Sequence, residues 1–254
     1  MEPSDIYIAA EAVIPIRSAP SGASEMATQL LFGEACACLE QRPGWWRVQL
    51  LLDGYEGWLD PRMILPAARS EWETWPWQTA IHARLRLEDG SRMALPMGAR
   101  IPGIPAGSFF CYGGRCWAVE AAESLPPQPH AAIPGLAASL LNVPYLWGGR
   151  SAWGIDCSGL TQLVYGICGI PLPRDSGPQS QWGRPVAYGE HLPGDLACFA
   201  QPGGTRVSHV GILAAPEQII HASGRVRRDL FTPEGILDPQ SRSLTHTLTG
   251  IRRW

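Results

Sequence analysis

Cys157 stands in Tyr145-Leu-Trp-Gly-Gly-Arg-Ser-Ala-Trp-Gly-Ile-Asp-Cys-Ser-Gly159, where a turn-rich segment runs into an apolar stripe. A thiol attacks as its thiolate, and the first turn of a helix favours that anion through its unpaired N–H groups and the positive end of its dipole. Leu160, Leu163, Val164 and Ile167 repeat at helical spacing, Asp156 is a suitable N-cap, and Gly169-Ile170-Pro171 a suitable stop. The spacing therefore predicts a helix with Cys157 in its first turn. A cysteine among apolar neighbours is usually an inert core residue; Gly, Asp and Ser neighbours argue for a nucleophile instead.

Such a thiol needs a base, and histidine titrates nearest to neutral pH. His209 and His221 lie on consecutive strand-like runs, Val207-Ser-His-Val-Gly-Ile-Leu213 and Gln218-Ile-Ile-His-Ala-Ser223, joined by Ala214-Ala-Pro-Glu217. A hairpin folded symmetrically about Ala215 sets the two imidazoles directly opposite each other, with Cβ atoms about 4.5–5.5 Å apart on one face. His221 could then orient His209 while His209 takes the thiol proton. His82, His130, His191 and His246 read as ordinary solvated or hydrogen-bonded histidines. No metal is expected: Cys36-Ala-Cys38 has no second ligand pair, and reads as two small buried residues. No cofactor motif is present either.

Six segments carry a resemblance, in order along the chain: Tyr145-Leu-Trp-Gly-Gly149, Asp156-Cys-Ser-Gly-Leu160, Pro173-Arg-Asp-Ser-Gly-Pro-Gln179, Gly194-Asp-Leu196, Ser208-His-Val-Gly-Ile212 and Ile220-His-Ala-Ser223. Together they resemble the NlpC/P60 cysteine peptidase family over about half the chain, from near Ala131 to Trp254. The resemblance implies a papain-like α+β core with the cysteine on a helix packed against an antiparallel sheet. It maps the nucleophile to Cys157, the base to His209, the third polar residue to His221, and a tyrosine near the active site to Tyr145.

The elements before that half must be accounted for separately. The chain has 254 residues, with 28 Gly and 24 Pro marking many turns, and its 45% hydrophobic share argues against disorder. Residues 1–68 show short strand-like runs such as Ala35-Cys-Ala-Cys-Leu39 and Trp45-Trp-Arg-Val-Gln-Leu50, the spacing of a small barrel. Leu31-Phe-Gly-Glu34, Gly44-Trp-Trp-Arg-Val48 and Asp53-Gly-Tyr-Glu-Gly-Trp58 resemble bacterial SH3 modules. A second set of strand signals in residues 69–126, including Ala80-Ile-His-Ala-Arg-Leu-Arg-Leu87 and Arg115-Cys-Trp-Ala-Val119, resembles a diverged second module. Pro126-Pro-Gln-Pro129 reads as the linker to a catalytic domain over 131–254. Trp72, Trp75 and Trp77 crowd between the two barrels, where they could form an interdomain contact or a wall of the cleft.

A formal charge of −3 with no basic run speaks against a nucleic-acid partner. The acidic start Met1-Glu-Pro-Ser-Asp5 and the lack of a long apolar stretch predict neither export nor a membrane span. Seven cysteines, an odd number, fit free thiols in a reducing, cytoplasmic setting. Family members of this layout resemble muropeptide-recycling enzymes. These cut between γ-D-glutamate and an L-diamino acid, diaminopimelate or lysine, in small cell-wall peptides with a free N-terminal L-alanine. In that resemblance the amine is met by Asp156, assisted by Ser158, Ser176 and a residue of the first SH3 module, with Tyr55 and Glu56 as candidates. An acyltransferase or amidase on the same framework, or a silent wall-binding protein, are the alternatives. Arg150 and Arg174 lie near the motifs without an assigned part.

Overall fold

The computed structural model describes residues 6–254, which fall into two compact units, 6–127 and 128–254. In the first unit, β1 (Ile6–Ala9), β2 (Val13–Arg17), β3 (Met26–Leu31), β4 (Ala35–Arg42), β5 (Trp45–Leu50), β6 (Glu56–Leu59) and β7 (Ile64–Ala67) form one antiparallel sheet ordered β3-β2-β6-β5-β4-β1-β7. Burial alternates along β2, with Ile14 and Ile16 inside, as period-two side-chain placement requires. A short helix α1 (Arg69–Thr74) leads to β8 (Trp77–Leu87), β9 (Arg92–Leu95), β10 (Arg100–Pro102), β11 (Phe109–Tyr112) and β12 (Arg115–Leu125), a five-stranded sheet. β3 and β7 were not legible as strands, because their apolar residues run together instead of alternating.

These two sheets share a core. Ile6, Ile8 and Phe32 of the first pack with Leu85, Trp117 and Val119 of the second, and the Phe32 and Trp117 rings meet edge-on at 5.4 Å. The tryptophan cluster belongs here: Trp72, Trp75 and Trp77 pack on that core, and Trp72 Nε1 donates to the Gly33 carbonyl at 3.0 Å. They are the contact between the modules. One expectation is corrected. Cys111 and Cys116 face each other across the β11–β12 hairpin and are joined by a disulfide, so the cysteines are not all free thiols. The pairing was invisible to a count, since it depends on the hairpin register.

In the second unit, α2 (Ile133–Ser139) precedes the two-stranded β13 (Arg150–Ser151) and β14 (Gly154–Ile155), then α3 (Cys157–Ile167) and α4 (Ser176–Gln179). Seven strands follow: β15 (Arg184–Val186), β16 (Leu196–Ala200), β17 (Val207–Ala215), β18 (Gln218–Ser223), β19 (Arg225–Phe231), β20 (Gly235–Leu237) and β21 (Leu244–Arg253), ordered β15-β21-β16-β17-β18-β19-β20. β21 also pairs with β20, so β16–β21 close into a ring. Phe199, Leu213, Ile219, Phe231 and Ile236 form a core of this sheet.

The predicted stripe of α3 is buried, but so is almost every other residue of that helix, including Thr161, Gln162 and Tyr165. Burying their polar atoms is tolerable because each is hydrogen-bonded. Thr161 Oγ1 donates to Gln179, Gln162 Nε2 to the Leu172 carbonyl, and Tyr165 Oη to the Gly194 carbonyl. Each fully buried Leu, Val or Ile of the stripe contributes about 1.5–3 kcal/mol, which fixes α3 in the position from which Cys157 is presented.

Candidate active site

Cys157 is the first residue of α3, and Asp156 is its N-cap, accepting from Gly159 N at 2.7 Å. The Asp156 carboxylate does much more than cap. Its second oxygen accepts from Gly148 N, and Arg174 reaches both oxygens, at 3.0 and 2.6 Å. The Arg174 side chain is 1% exposed. Ser158 Oγ joins the same group, donating to Asp156 and accepting from Arg174. Gly159 permits the close approach: a Cβ there would collide with the Gly149 carbonyl, so the head of α3 is docked against the Tyr145–Gly149 turn.

The sulfur of Cys157 accepts backbone hydrogen bonds from Ser158 and from Val210, the residue after His209, which brings it onto β17. Its thiol is not pre-ionised, contrary to what the helix terminus alone suggests. Burial, and secondly the Asp156 charge, push it up to about 11 against the opposing N–H groups and Arg174.

The two sequence-predicted histidines do meet, though in a different register. His221 lies opposite Gly211, two residues past His209, because the strands turn at Pro216-Glu217, which alone would set His221 opposite Ile212, and a bulge at Ala214 takes one residue back. An even shift keeps both rings on one face. His209 Nε2 and His221 Nδ1 are 2.8 Å apart. Gly211 makes room for this contact: a Cβ there would lie 2.9 Å from His221 Cβ and 2.7 Å from Ile219 Cδ1.

The chain of contacts continues beyond what the sequence revealed. His221 Nε2 lies 3.0 Å from Asp229 Oδ2, Asp229 Oδ1 accepts from Arg227 Nε at 2.8 Å, and Arg227 also pairs with Asp238. His246, read as an ordinary histidine, is another correction. Its ring stacks on His209 at 4.1 Å and 25°, because ring closure through β21 returns the last strand to β16. Burial holds His209 well below the usual imidazole range, helped by His221 and His246, and burial likewise lowers His246 to about 4. His209 is therefore a neutral imidazole, and Cys157, bonded to the N–H of the next residue Val210, a neutral thiol. Neither Asp229 nor His246 had a local signal in the sequence; strand pairing brings both in.

Tyr145 is half-buried, and its phenol is pushed up to about 12 by burial first and then by Cys157 and Asp156, so it stays protonated. Ser176 opens α4 and Ser180 N donates to its carbonyl. Tyr55 and Glu56 belong to the first unit: Tyr55 packs on the core of the first sheet, and the exposed Glu56 pairs with Arg47 at 2.6 Å. Arg150 Nε donates to Gln162. No group of three or more His, Cys, Asp or Glu suited to a metal occurs among the described residues.

A cysteine at the head of a helix, laid against an antiparallel sheet that carries a histidine pair, defines a papain-like α+β domain. Residues 142–252 match the NlpC/P60 family and residues 16–62 the bacterial dipeptidyl-peptidase Sh3 domain. The chain thus carries an NlpC/P60 domain, that of a cysteine peptidase family, behind a bacterial SH3 domain. It is 46% identical over 84 residues to a gamma-D-glutamyl-L-lysine dipeptidyl-peptidase of Bacillus cereus, a match covering 32% of this chain and 25% of that protein. A Bacillus subtilis protein of the same name is 37% identical over 86 residues, covering 34% and 29%. The chain therefore spans under a third of the length of these curated relatives in alignment. A solved NlpC/P60 family protein from Bacillus cereus shares the fold along 98% of this chain and 99% of its own, with a TM-score of 0.81 at 20% identity.

Proposed function

We propose that the chain is a cysteine endopeptidase hydrolysing the bond between γ-D-glutamate and an L-diamino acid in small cell-wall peptides. The observation that carries this reading is the Cys157 sulfur held by the N–H of Val210, the residue that follows His209 on β17, with His209 hydrogen-bonded to His221. The names of the Bacillus relatives support the bond with lysine as the diamino acid; diaminopimelate, which carries one further carboxylate, is the other candidate.

In this mechanism His209 accepts the Cys157 proton as the sulfur attacks the γ-glutamyl carbonyl, so the ion pair forms during attack and need not pre-exist. His221 orients His209. The backbone N–H of Cys157 and the Tyr145 hydroxyl, kept protonated by its raised pKa, stabilise the oxyanion. The diamino acid leaves with the proton held by His209, and water hydrolyses the thioester through a second oxyanion. No metal or cofactor takes part.

The substrate's free amine is assigned to the Asp156, Ser158 and Ser176 region. Asp156 already shares both oxygens with Arg174, so an ammonium group meets a balanced ion pair and not a free carboxylate. A role in peptidoglycan recycling in the cytoplasm belongs to the same proposal. No helix among the described residues is long and apolar enough to cross a membrane. The Cys111–Cys116 disulfide is the observation that weighs against a reducing compartment.

The test is mass spectrometry of L-Ala-γ-D-Glu-diaminopimelate, its lysine counterpart and their N-acetylated forms after incubation with the protein. Cleavage of the free-amine peptides at the γ-glutamyl bond, lost in Cys157→Ala, is expected. Retained cleavage in Cys157→Ala removes the nucleophile, and equal cleavage of the acetylated forms removes the amine site.

A further inference from the structure

We propose that Asp229 is a positioning residue that sets the tautomers of both histidines and so makes Nδ1 of His209 the atom that receives the Cys157 proton. This inference rests on the peptidase reading above and deepens it. Three contacts carry it: His209 Nε2 to His221 Nδ1 at 2.8 Å, His221 Nε2 to Asp229 Oδ2 at 3.0 Å, and Arg227 Nε to Asp229 Oδ1 at 2.8 Å.

The logic is one of donors and acceptors. An ionised carboxylate only accepts, so His221 must present N–H at Nε2. Asp229 is ionised: burial opposes its charge, but hydrogen bonds and charges from His221 and Arg227 prevail and lower its pKa. With a single proton, on Nε2, His221 has a lone pair at Nδ1 that accepts from His209 Nε2–H. A neutral His209 with its proton on Nε2 has its lone pair on Nδ1. That atom is the base. Reversal at any link would put a proton on Nδ1 of His209 and leave the thiol without an acceptor.

Asp229 is suited to the task by its surroundings. The His221 and Asp229 side chains are 1% and 3% exposed, so water does not compete for the bond. Arg227 occupies the other oxygen and is itself held by Asp238 at 2.8 Å, which prevents the carboxylate from rotating. After proton transfer the array Asp229, His221 and His209 holds one negative and one positive charge, so the buried imidazolium is compensated through the chain of hydrogen bonds. Of the other titratable and charged groups, His246 from β21 bears on His209, while Asp156 and Arg174 bear on the Cys157 sulfur.

Two measurements test this, and neither uses a peptide, so failure of the substrate assignment leaves them intact. The first is nitrogen-15 NMR of the imidazoles in the whole protein near neutral pH. His209 and His221 are both expected with protons on Nε2 and bare Nδ1; a bare Nε2 on His221 overturns the proposal. The second is iodoacetamide alkylation of Cys157 across pH in Asp229→Asn. Arg227 holds the new amide oxygen, so the amide NH2 faces His221 and inverts both tautomers. The alkylation rate near neutral pH should fall about 10–100-fold, the range seen when such outer partners are lost. With the negative charge gone, the His209 imidazolium is less stable, so the acid limb of the profile should move to lower pH. A purely structural lesion lowers the rate without moving that limb. An unchanged rate, or a fall with the limb unmoved, overturns the assignment, and should Asp229→Asn not fold, the NMR measurement on the unaltered protein decides.

Discussion

Arg174→Met removes a guanidinium that is 1% exposed and donates to both oxygens of Asp156, to Ser158 Oγ and to the Gly149 carbonyl. Methionine fills much of the same volume, so the lesion is mainly a carboxylate stranded in a buried site. Breaking a buried ion pair from one side costs about 3–5 kcal/mol, because the remaining charge keeps its desolvation cost without its partner. The two Asp156 cap and turn bonds, from Gly159 and Gly148, survive and soften the loss, which sets the expectation near the lower end, about 3 kcal/mol. For a unit of this size that corresponds to a fall in Tm of about 10 °C. Asp156→Asn keeps the cap but strands Arg174 instead, and should cost a similar amount. Urea unfolding of the two single variants and the double variant gives the coupling. The double variant should lose clearly less than the summed singles, since neither charge is then left alone. A second readout follows from the sulfur. Asp156 raises the Cys157 pKa and Arg174 lowers it, so Arg174→Met should slow iodoacetamide alkylation at fixed pH. A loss under about 1 kcal/mol in Arg174→Met, the range of an exposed pair, or strict additivity in the double variant, would refute the reasoning.

Gly211→Ala should lower kcat by tenfold or more while the protein still folds, because the new Cβ meets His221 Cβ at 2.9 Å and pushes that ring off His209; steady-state kinetics with a melting curve checks this. Stability of the second unit should fall as pH drops from about 6.5 toward 4, since His246 has a folded-state pKa lowered to about 4 and the unfolded chain takes up that proton first. The loss is on the order of 1–3 kcal/mol for this group, and His246→Gln should flatten that part of the curve; an equal slope in both proteins speaks against a neutral, stacked His246. Native protein unfolded without reductant should show five titratable thiols, Cys36, Cys38, Cys157, Cys168 and Cys198, and a count of seven would remove the Cys111–Cys116 disulfide.

Local chemistry made part of this site readable in the residues alone. The Asp156 cap, the apolar spacing of α3 and the stop at Gly169 are written within a dozen neighbouring positions, so Cys157 could be set in a first turn without knowing the fold. The strand character of β17 and β18 was equally local. Their register was not. The turn at Pro216-Glu217 and the bulge at Ala214 together moved His221 from His209 to Gly211, and without the bulge it would lie opposite Ile212, on the other face; nothing in the composition of the turn announces a bulge.

What only the tertiary structure decided are the partners that lie far along the chain. Asp229 reaches His221 because β19 pairs with β18, His246 reaches His209 because β21 closes the ring, and Arg174 reaches Asp156 from the loop after α3. The same holds for the Cys157 thiol, which a helix terminus taken alone would acidify and which burial instead raises to about 11. Spacing along a sequence fixes direction and periodicity over one helix or one strand. Burial and charge compensation are sums over everything that packs around a group, and they come into existence only when distant strands close over it.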